Sequence, residues 1–375
     1  MQRLAQELSR LKSEFRHRSL ELPHGIDFTS NDYLGLARHP ALRHAVLDAL
    51  AGDGAVGAAG SRLLRGHQPG HAEIEAFASA FFGCERALYF STGFLANFAL
   101  FTTLPHRHDA VIFDELVHAS VKEGVHAGPA ARLKVRHNDV DAFEDAIRRA
   151  RAAGARDVWL AIESVYSMDG DVAPVADLLA LAHAHDAVLI VDEAHATGIF
   201  GATGRGFTEG RYDERLIVLH TCGKALGVAG GLLCGPSIAV DYLINAARPF
   251  IYSTAPPPYV AVAVRRALEL VDEEPWRRAR LLELSRLAAD KLARSAGGAV
   301  AAAGTQILPV ILGSDSRAVE TAQALRRAGF DVRAIRPPTV PAGSSRLRIS
   351  IGADRTEAEI EGLAEALGHV LMAAA

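Results

Sequence analysis

Short continuous apolar runs recur along this chain, with amphipathic stretches between them. Ala87-Leu88-Tyr89-Phe90, Ala110-Val111-Ile112-Phe113, Val158-Trp159-Leu160-Ala161-Ile162, Ala187-Val188-Leu189-Ile190-Val191 and Leu216-Ile217-Val218-Leu219-His220-Thr221 are rich in β-branched or aromatic residues. That is the pattern of strands covered on both faces. Gly230 to Gly235 reads as a further strand. A helix is expected to begin near His71-Ala72-Glu73, and another after the Ser91 to Asn97 segment. Asp141 to Ala152 and Val175 to His185 carry apolar residues at helical spacing. Strands alternating with helices in this way predict right-handed crossovers and a mostly parallel sheet, an α/β fold.

The ends of the chain read differently. Leu4, Leu8, Leu11 and Phe15 form an apolar stripe that predicts a helix from Leu4 to about Leu20. Arg248 to Pro258 is proline-dense, as a connector between domains is, and a long helical stretch from Tyr259 to Ala296 follows it. Beyond it we expect strand Gln306 to Leu312, helix Arg317 to Gly329, strand Phe330 to Ile335, loop Arg336 to Ser344, strand Arg346 to Ile351 and a last helix. Thr356-Glu357-Ala358-Glu359 has capping-box spacing at that helix's start.

Composition narrows the function. With 375 residues, 49% of them hydrophobic and 22% charged, the chain can build two substantial cores. A net charge of −4 gives no basis for a nucleic-acid or anionic-membrane partner. No apolar run approaches the roughly 18 residues of a membrane span. The start, Met1 to Leu8, is amphipathic and has no signal-peptide core. Cys84, Cys222 and Cys234 are too few and too unpatterned for a disulfide frame or a zinc site, so a cytoplasmic setting is expected.

Two of the apolar runs each deliver ionisable residues to one sheet edge. The first ends in Asp192-Glu193-Ala194-His195, and the second leads to Lys224 in the glycine-flanked turn Cys222 to Gly227. Ligands of open α/β sheets bind beyond the carboxyl ends of the strands. A carboxylate, an imidazole and an amine in one crevice suit pyridoxal 5'-phosphate, which needs a lysine and an acidic partner for its ring nitrogen. Asp-Glu-Ala-His is also a helicase-type Walker B sequence, but that reading needs a phosphate loop. Val218 and Ala225 stand where such a loop around Gly223-Lys224 would need Gly and Ser or Thr. His183, His185 and Asp186 read as a solvated helix end, and no metal site is expected.

The Asp192 to Gly198 and Thr221 to Lys224 segments, with Ser30-Asn31-Asp32-Tyr33-Leu34-Gly35-Leu36, resemble the α-oxoamine synthases. These are fold-type I pyridoxal phosphate enzymes that condense an amino acid with an acyl thioester. Gly57 to His67 and Arg336 to Gly343 resemble the oxononanoate synthase branch of that family. The likeness runs from Asn31 to Arg348. Ala196, where Gly or Ser is usual, and Cys222-Gly223, where the family varies, are its minor departures.

The resemblance implies roles and an organisation. Lys224 would hold the cofactor and serve as base at the substrate Cα. Asp192 would face the ring nitrogen, His195 the phenolic oxygen, and His118 would stack on the ring. Gly93 and Phe94, at a strand-to-helix junction whose free N–H groups suit a phosphate, would hold it with Thr221. Asn97 and Ser167 would lie near the cofactor. Thr254 would reach the phosphate of a neighbouring subunit, which implies a homodimer with a composite active site. Asn31 and Arg348 would meet the amino acid's carboxylate, Arg16 or Arg18 the acyl substrate, with Glu163 and Thr339 also on the substrate side. Arg346 is expected to face solvent. The organisation implied is an N-terminal helix and substrate-site segment (1–45), a large cofactor domain (46–255), and a linker helix with a small C-terminal α+β domain (256–375). The reaction implied is decarboxylative condensation of L-alanine with a pimeloyl thioester on acyl carrier protein or coenzyme A, in biotin synthesis. A sibling reaction of glycine with a short acyl-coenzyme A is the alternative. A regulator that merely binds the cofactor would need an appended DNA-binding module, for which this length leaves no room.

Overall fold

The computed structural model describes residues 1–52, 54–296, 300 and 304–373. In chain order the strands are β1 (Ile26–Asp27), β2 (Arg86–Phe90), β3 (Ala110–Asp114), β4 (Ala131–Val135), β5 (Val158–Glu163) and β6 (Val188–Asp192). β7 (Leu216–Thr221), β8 (Gly231–Gly235), β9 (Ile307–Gly313), β10 (Phe330–Asp331), β11 (Arg333–Ile335) and β12 (Ser345–Ser350) follow. Two compact units result: one holds Met1–Tyr33, Ser167–Asp171 and Ala279–Ala375, the other Leu34–Tyr166 and Val172–Arg278.

The larger unit is built on a seven-stranded sheet in the order β2-β8-β7-β6-β5-β3-β4. β7, β6, β5, β3 and β4 run parallel, while β8 is antiparallel to both its neighbours. The sheet is therefore mostly parallel, as the apolar runs predict. Leu160, Leu189, Val191, Leu232 and Leu233 are fully buried in it. β4 is the strand that the apolar pattern does not announce. Its Ala-Arg-Leu-Lys-Val sequence is largely exposed because β4 closes the sheet's edge, where one flank has no partner.

The smaller unit has β12 at the centre of an antiparallel sheet, β11-β12-β9. The strand expected over 330–335 divides in two: β10 pairs with β1, and β11 with β12. Thr356 and Glu359 form the expected capping box. The Glu359 N–H donates to Thr356 Oγ1 at 3.2 Å, and the Thr356 N–H to Glu359 Oε2 at 2.7 Å.

Two helical expectations need correction. The long stretch from Tyr259 is two helices, Pro258–Glu273 and Trp276–Ser295. Pro275 lacks the N–H and the backbone freedom to continue the first. That first helix packs on Pro40–Leu50 and Pro69–Phe82 within the larger unit. The N-terminal helix is short, Gln2–Ser13, because the chain reverses at Phe15, which has φ 57°, and the Arg16 and His17 N–H groups both turn back to Leu11 O. Its stripe lies outside the core, with Leu4 60% exposed and Leu8 51%.

Candidate active site

In the larger unit, β6 carries Asp192 to its carboxyl end, level with Glu163 on β5. Both carboxylates are buried. Asp192 Oδ1 accepts the Ala194 N–H at 3.0 Å and its Oδ2 accepts Asn97 Nδ2 at 2.8 Å. Asn97 also donates to Ser120 Oγ at 2.9 Å, and that hydroxyl lies 2.8 Å from His118 Nδ1. His118 Nδ1 accepts the Ser120 N–H at 3.2 Å, so the ring caps the helix Ala119–Ala127 and carries its hydrogen on Nε2. Desolvation of the ring lowers the His118 pKa. Asp192 opposes the shift, and Lys224 and Lys122 reinforce it. One hydrogen-bonded chain thus joins four residues from three elements, of which Ser120 was not expected from the sequence.

The neighbouring carboxylate, Glu193, points the other way. Fully buried, it accepts from Ser164 Oγ at 2.5 Å and the Thr208 N–H at 2.8 Å, and desolvation raises its pKa. The raised pKa favours its neutral form, which needs no counter-cation, and that marks it as structural.

Lys224 follows β7 in a loop closed on itself. The Cys222 N–H donates to Gly230 O, Val228 N–H to Cys222 O, and Gly227 N–H to Lys224 O, at 2.8 to 2.9 Å. The result holds Lys224 Nζ 2.7 Å from Nε2 of the buried His195. Thr221, at the end of β7, donates to Gly230 O at 3.3 Å. Across from it, Thr92 caps the helix Gly93–Thr103 by accepting the Leu95 N–H at 3.0 Å. A Cβ on Gly93 would lie 3.1 Å from Thr221 Oγ1, so a larger residue would crowd this helix start. Thr254 is exposed and forms an isolated bridge with Ser61.

This donor set fits pyridoxal phosphate. Among the described residues, Asp192 has no lysine or arginine ion pair, and neutral donors alone leave a buried carboxylate's charge uncompensated. A protonated ring nitrogen would supply the missing cation. Asn97 Oδ1 is also buried without a hydrogen-bond partner among the described residues. The helix start at Gly93 offers N–H groups for a phosphate.

The smaller unit gathers a second group. Arg348 Nε donates to Ser167 O at 2.5 Å, Nη1 to Asn31 Oδ1 at 3.1 Å and Ser350 Oγ at 2.8 Å, and Nη2 to Tyr33 OH at 3.1 Å. Tyr33 OH in turn donates to Asn31 Oδ1 at 2.8 Å. Among the described residues, four of the five guanidinium hydrogens are thereby committed, leaving one on Nη2. Tyr33, absent from the expected site, stands two residues from Asn31 in the same motif. Arg346 corrects an expectation: it is 4% exposed, ion-paired with Asp169 and bonded to Met168 O. β12 is the central strand, and segment Ser167–Asp171 covers the face that both arginines share. The two N-terminal arginines separate: Arg16 Nε is bound to Asp315 at 2.7 Å, whereas Arg18 Nη2 reaches Thr339 Oγ1 at 3.5 Å.

His183 and His185 pair with Asp213 and Glu144, and no metal-binding cluster occurs among the described residues. All three cysteines are free. No described helix is long and apolar enough to cross a membrane.

Known proteins resemble this chain in sequence and in fold. Residues 23–367 match the aminotransferase class I and II family. The chain is 42% identical over 348 residues to an 8-amino-7-oxononanoate synthase of Anaeromyxobacter dehalogenans, covering 92% of this chain and 86% of that one. Its fold superposes with a TM-score of 0.90 on a serine palmitoyltransferase from S. paucimobilis solved with pyridoxal phosphate and myriocin bound, at 29% identity, over 99% of this chain and 97% of that one. With the 8-amino-7-oxononanoate synthase of Francisella tularensis the TM-score is 0.79 at 26% identity, over 93% and 98% of the two chains. The chain belongs to the class I and II aminotransferase family of fold-type I, pyridoxal-phosphate-dependent enzymes, and within it to the 8-amino-7-oxononanoate synthases.

Proposed function

We propose that this enzyme condenses L-alanine with a pimeloyl thioester, carried on acyl carrier protein or coenzyme A, and releases carbon dioxide, the carrier's free thiol and 8-amino-7-oxononanoate. The observation that carries the reading is the amine of Lys224 held 2.7 Å from His195 beside the uncompensated Asp192, in a chain 42% identical to a protein of that name. Lys224 would hold pyridoxal phosphate through its amine, Asp192 would accept its ring N–H, and His195 would donate to its phenolic oxygen. The N–H groups of Gly93 and Phe94, with Thr221, would take the phosphate, with Asn97 and Ser167 nearby. When bound, the cofactor supplies an electron sink for charge that develops at the amino acid's Cα.

The protein's own groups do the rest. Arg348 offers its remaining Nη2 hydrogen to the substrate carboxylate, and the Asn31 amide nitrogen is the second donor. Lys224 takes the Cα proton, a transfer worth roughly 10²- to 10⁴-fold for a well-placed base. His118, kept neutral, covers the ring face without adding a charge that would compete with the ring nitrogen for Asp192. Glu163, Arg18 and Thr339 are assigned to the acyl side. We place the enzyme in the cytoplasm as a homodimer, in which the exposed Thr254 serves the neighbouring subunit's phosphate.

The test is carbon dioxide release from carboxyl-labelled amino acid by the holoenzyme, with L-alanine and glycine crossed against pimeloyl-coenzyme A, pimeloyl-acyl carrier protein and acetyl-coenzyme A. Release with alanine and a pimeloyl donor, with the product's mass confirmed, is expected. Release confined to glycine and the short donor would move the enzyme to the sibling reaction. Light scattering of the same holoenzyme reads the dimer.

A further inference from the structure

The glycine-rich segment 57–67 has no part in the roles above, yet one of its two arginines, Arg62, sits at a junction of the candidate cofactor site. Arg62 is 8% exposed. Its Nη2 donates to both carboxylate oxygens of Glu75 at 2.9 Å, its Nε to His67 Nδ1 at 3.0 Å, and its Nη1 to Tyr89 O at 3.3 Å. Glu75 Oε1 also accepts the Tyr89 N–H at 2.8 Å. The ion pair therefore takes both backbone groups of Tyr89. Tyr89 lies on β2, the sheet's other edge strand, so these are groups that no further strand satisfies.

The side chain of Tyr89 reaches the opposite way. Its hydroxyl donates to Ala229 O at 2.8 Å, and a Cβ on Gly230 would lie 2.3 Å from its ring. Gly230, at φ 120°, is thus pressed against the phenol in a conformation that only glycine adopts readily. Its carbonyl accepts the Cys222 N–H and the Thr221 hydroxyl, the bonds that close the Lys224 loop. Along the chain, Tyr89 is followed within four residues by the helix start at Gly93. The segment 57–67 also holds Thr254. Gly60 O accepts the Ala255 N–H at 2.9 Å, and Ser61 bridges to Thr254.

We propose that Arg62 is a positioning residue for the cofactor site. Locked by Glu75, it fixes Tyr89, and Tyr89 sets the Lys224 loop and the Gly93 turn relative to each other. Arg62 touches neither cofactor nor substrate. A planar fork is what this place requires, because one group must hold a carboxylate in two contacts and a carbonyl in a third. The inference rests on the cofactor roles given to Lys224 and Gly93.

Tyr89→Phe, Arg62→Lys and Glu75→Gln holoenzymes test it by their pyridoxal phosphate dissociation constants and by the pH midpoint of the bound cofactor's absorbance. Thermal unfolding serves as the control. Tyr89→Phe removes one oxygen and is expected to fold with an unchanged far-ultraviolet spectrum. It should weaken cofactor binding about tenfold, the scale of one lost hydrogen bond, and shift the pH midpoint. Arg62→Lys keeps the charge and loses the fork, and should move both readouts in the same direction. Wild-type values for both in folded Tyr89→Phe would overturn the proposal, whether or not the Arg62 and Glu75 variants fold. Should the wild-type protein itself form no borohydride-reducible bond between the cofactor and Lys224, the roles assigned above fail instead.

Discussion

Lys224 Nζ and His195 Nε2 stand 2.7 Å apart, close enough to share a single hydrogen. Lys224→Ala should lower turnover by roughly 10²- to 10⁴-fold, the size of a lost base. His195→Asn retains a hydrogen-bonding group but not a titratable one, and should lower kcat by about tenfold to a hundredfold with the cofactor still bound. Steady-state kinetics with L-alanine separate the two, and full turnover by Lys224→Ala would remove the basis of the proposed function.

Asn97 is the donor that aims Asp192. Among the described residues, Asn97→Ala leaves the carboxylate with the Ala194 N–H alone and should weaken cofactor affinity by about 1.5 to 3 kcal/mol, the range for a hydrogen bond to a charged group. Asp192→Asn removes the charge itself and should cost more. Equilibrium release of cofactor on dilution measures both, and equal affinities in the two variants would contradict the order.

Arg346 and Arg348 lie on one face of β12 but bind different groups. Arg348→Lys should raise KM for the amino acid by tenfold or more, since a single ammonium cannot keep the bonds to Asn31, Tyr33 and Ser167 while offering a hydrogen to substrate. Arg346→Lys should instead lower the thermal midpoint, through the lost bonds to Asp169 and Met168, with KM little changed. A KM effect confined to Arg346→Lys would reverse the assignment.

The two N-terminal arginines part in the same way. Arg16 is committed to Asp315, so Arg16→Ala should cost no more than about 1 kcal/mol of stability, as exposed or half-exposed pairs do. Arg18→Ala, next to Thr339, should raise KM for the acyl thioester. Varying the thioester at saturating alanine distinguishes them.

Acid should destabilise the fold through two buried imidazoles. Burial lowers His71 to about 4 and His220 to about 3, against about 6.5 in the unfolded chain. His71 Nδ1 accepts the Gln68 N–H and its Nε2 donates to Pro256 O, so the neutral ring is the form that fits. Between pH 6.5 and 4 the unfolded chain binds protons that the folded chain does not. The stability they contribute is therefore whole above pH 6.5 and is lost as pH falls through that window. His71 alone corresponds to about 3 kcal/mol at its lower end. Urea midpoints at pH 7.5 and 4.5 measure the loss, and His71→Gln should flatten it.

Much of the site is legible in the chain because its chemistry sits where local patterns end. Apolar runs finish at Asp192 and Thr221, and Lys224 follows within a glycine-bounded turn. Continuous apolarity detects only strands buried on both faces, and so β4, exposed at an edge, escapes it. Periodicity likewise carries a helix through Pro275 and past Phe15, where the backbone stops it. Sequence order also says nothing of which arginine meets which acid. Asp315 claims Arg16 from 299 positions away, and segment 167–171 buries Arg346 from 177. By itself, the sequence determined the α/β class and the cofactor, since each depends on neighbours in the chain. Only the tertiary structure decided their partners: the Asn97 that orients Asp192, the Tyr33 that shares Arg348, and the Glu75 that locks Arg62. Those choices are made by side chains that meet only after the backbone has been brought together.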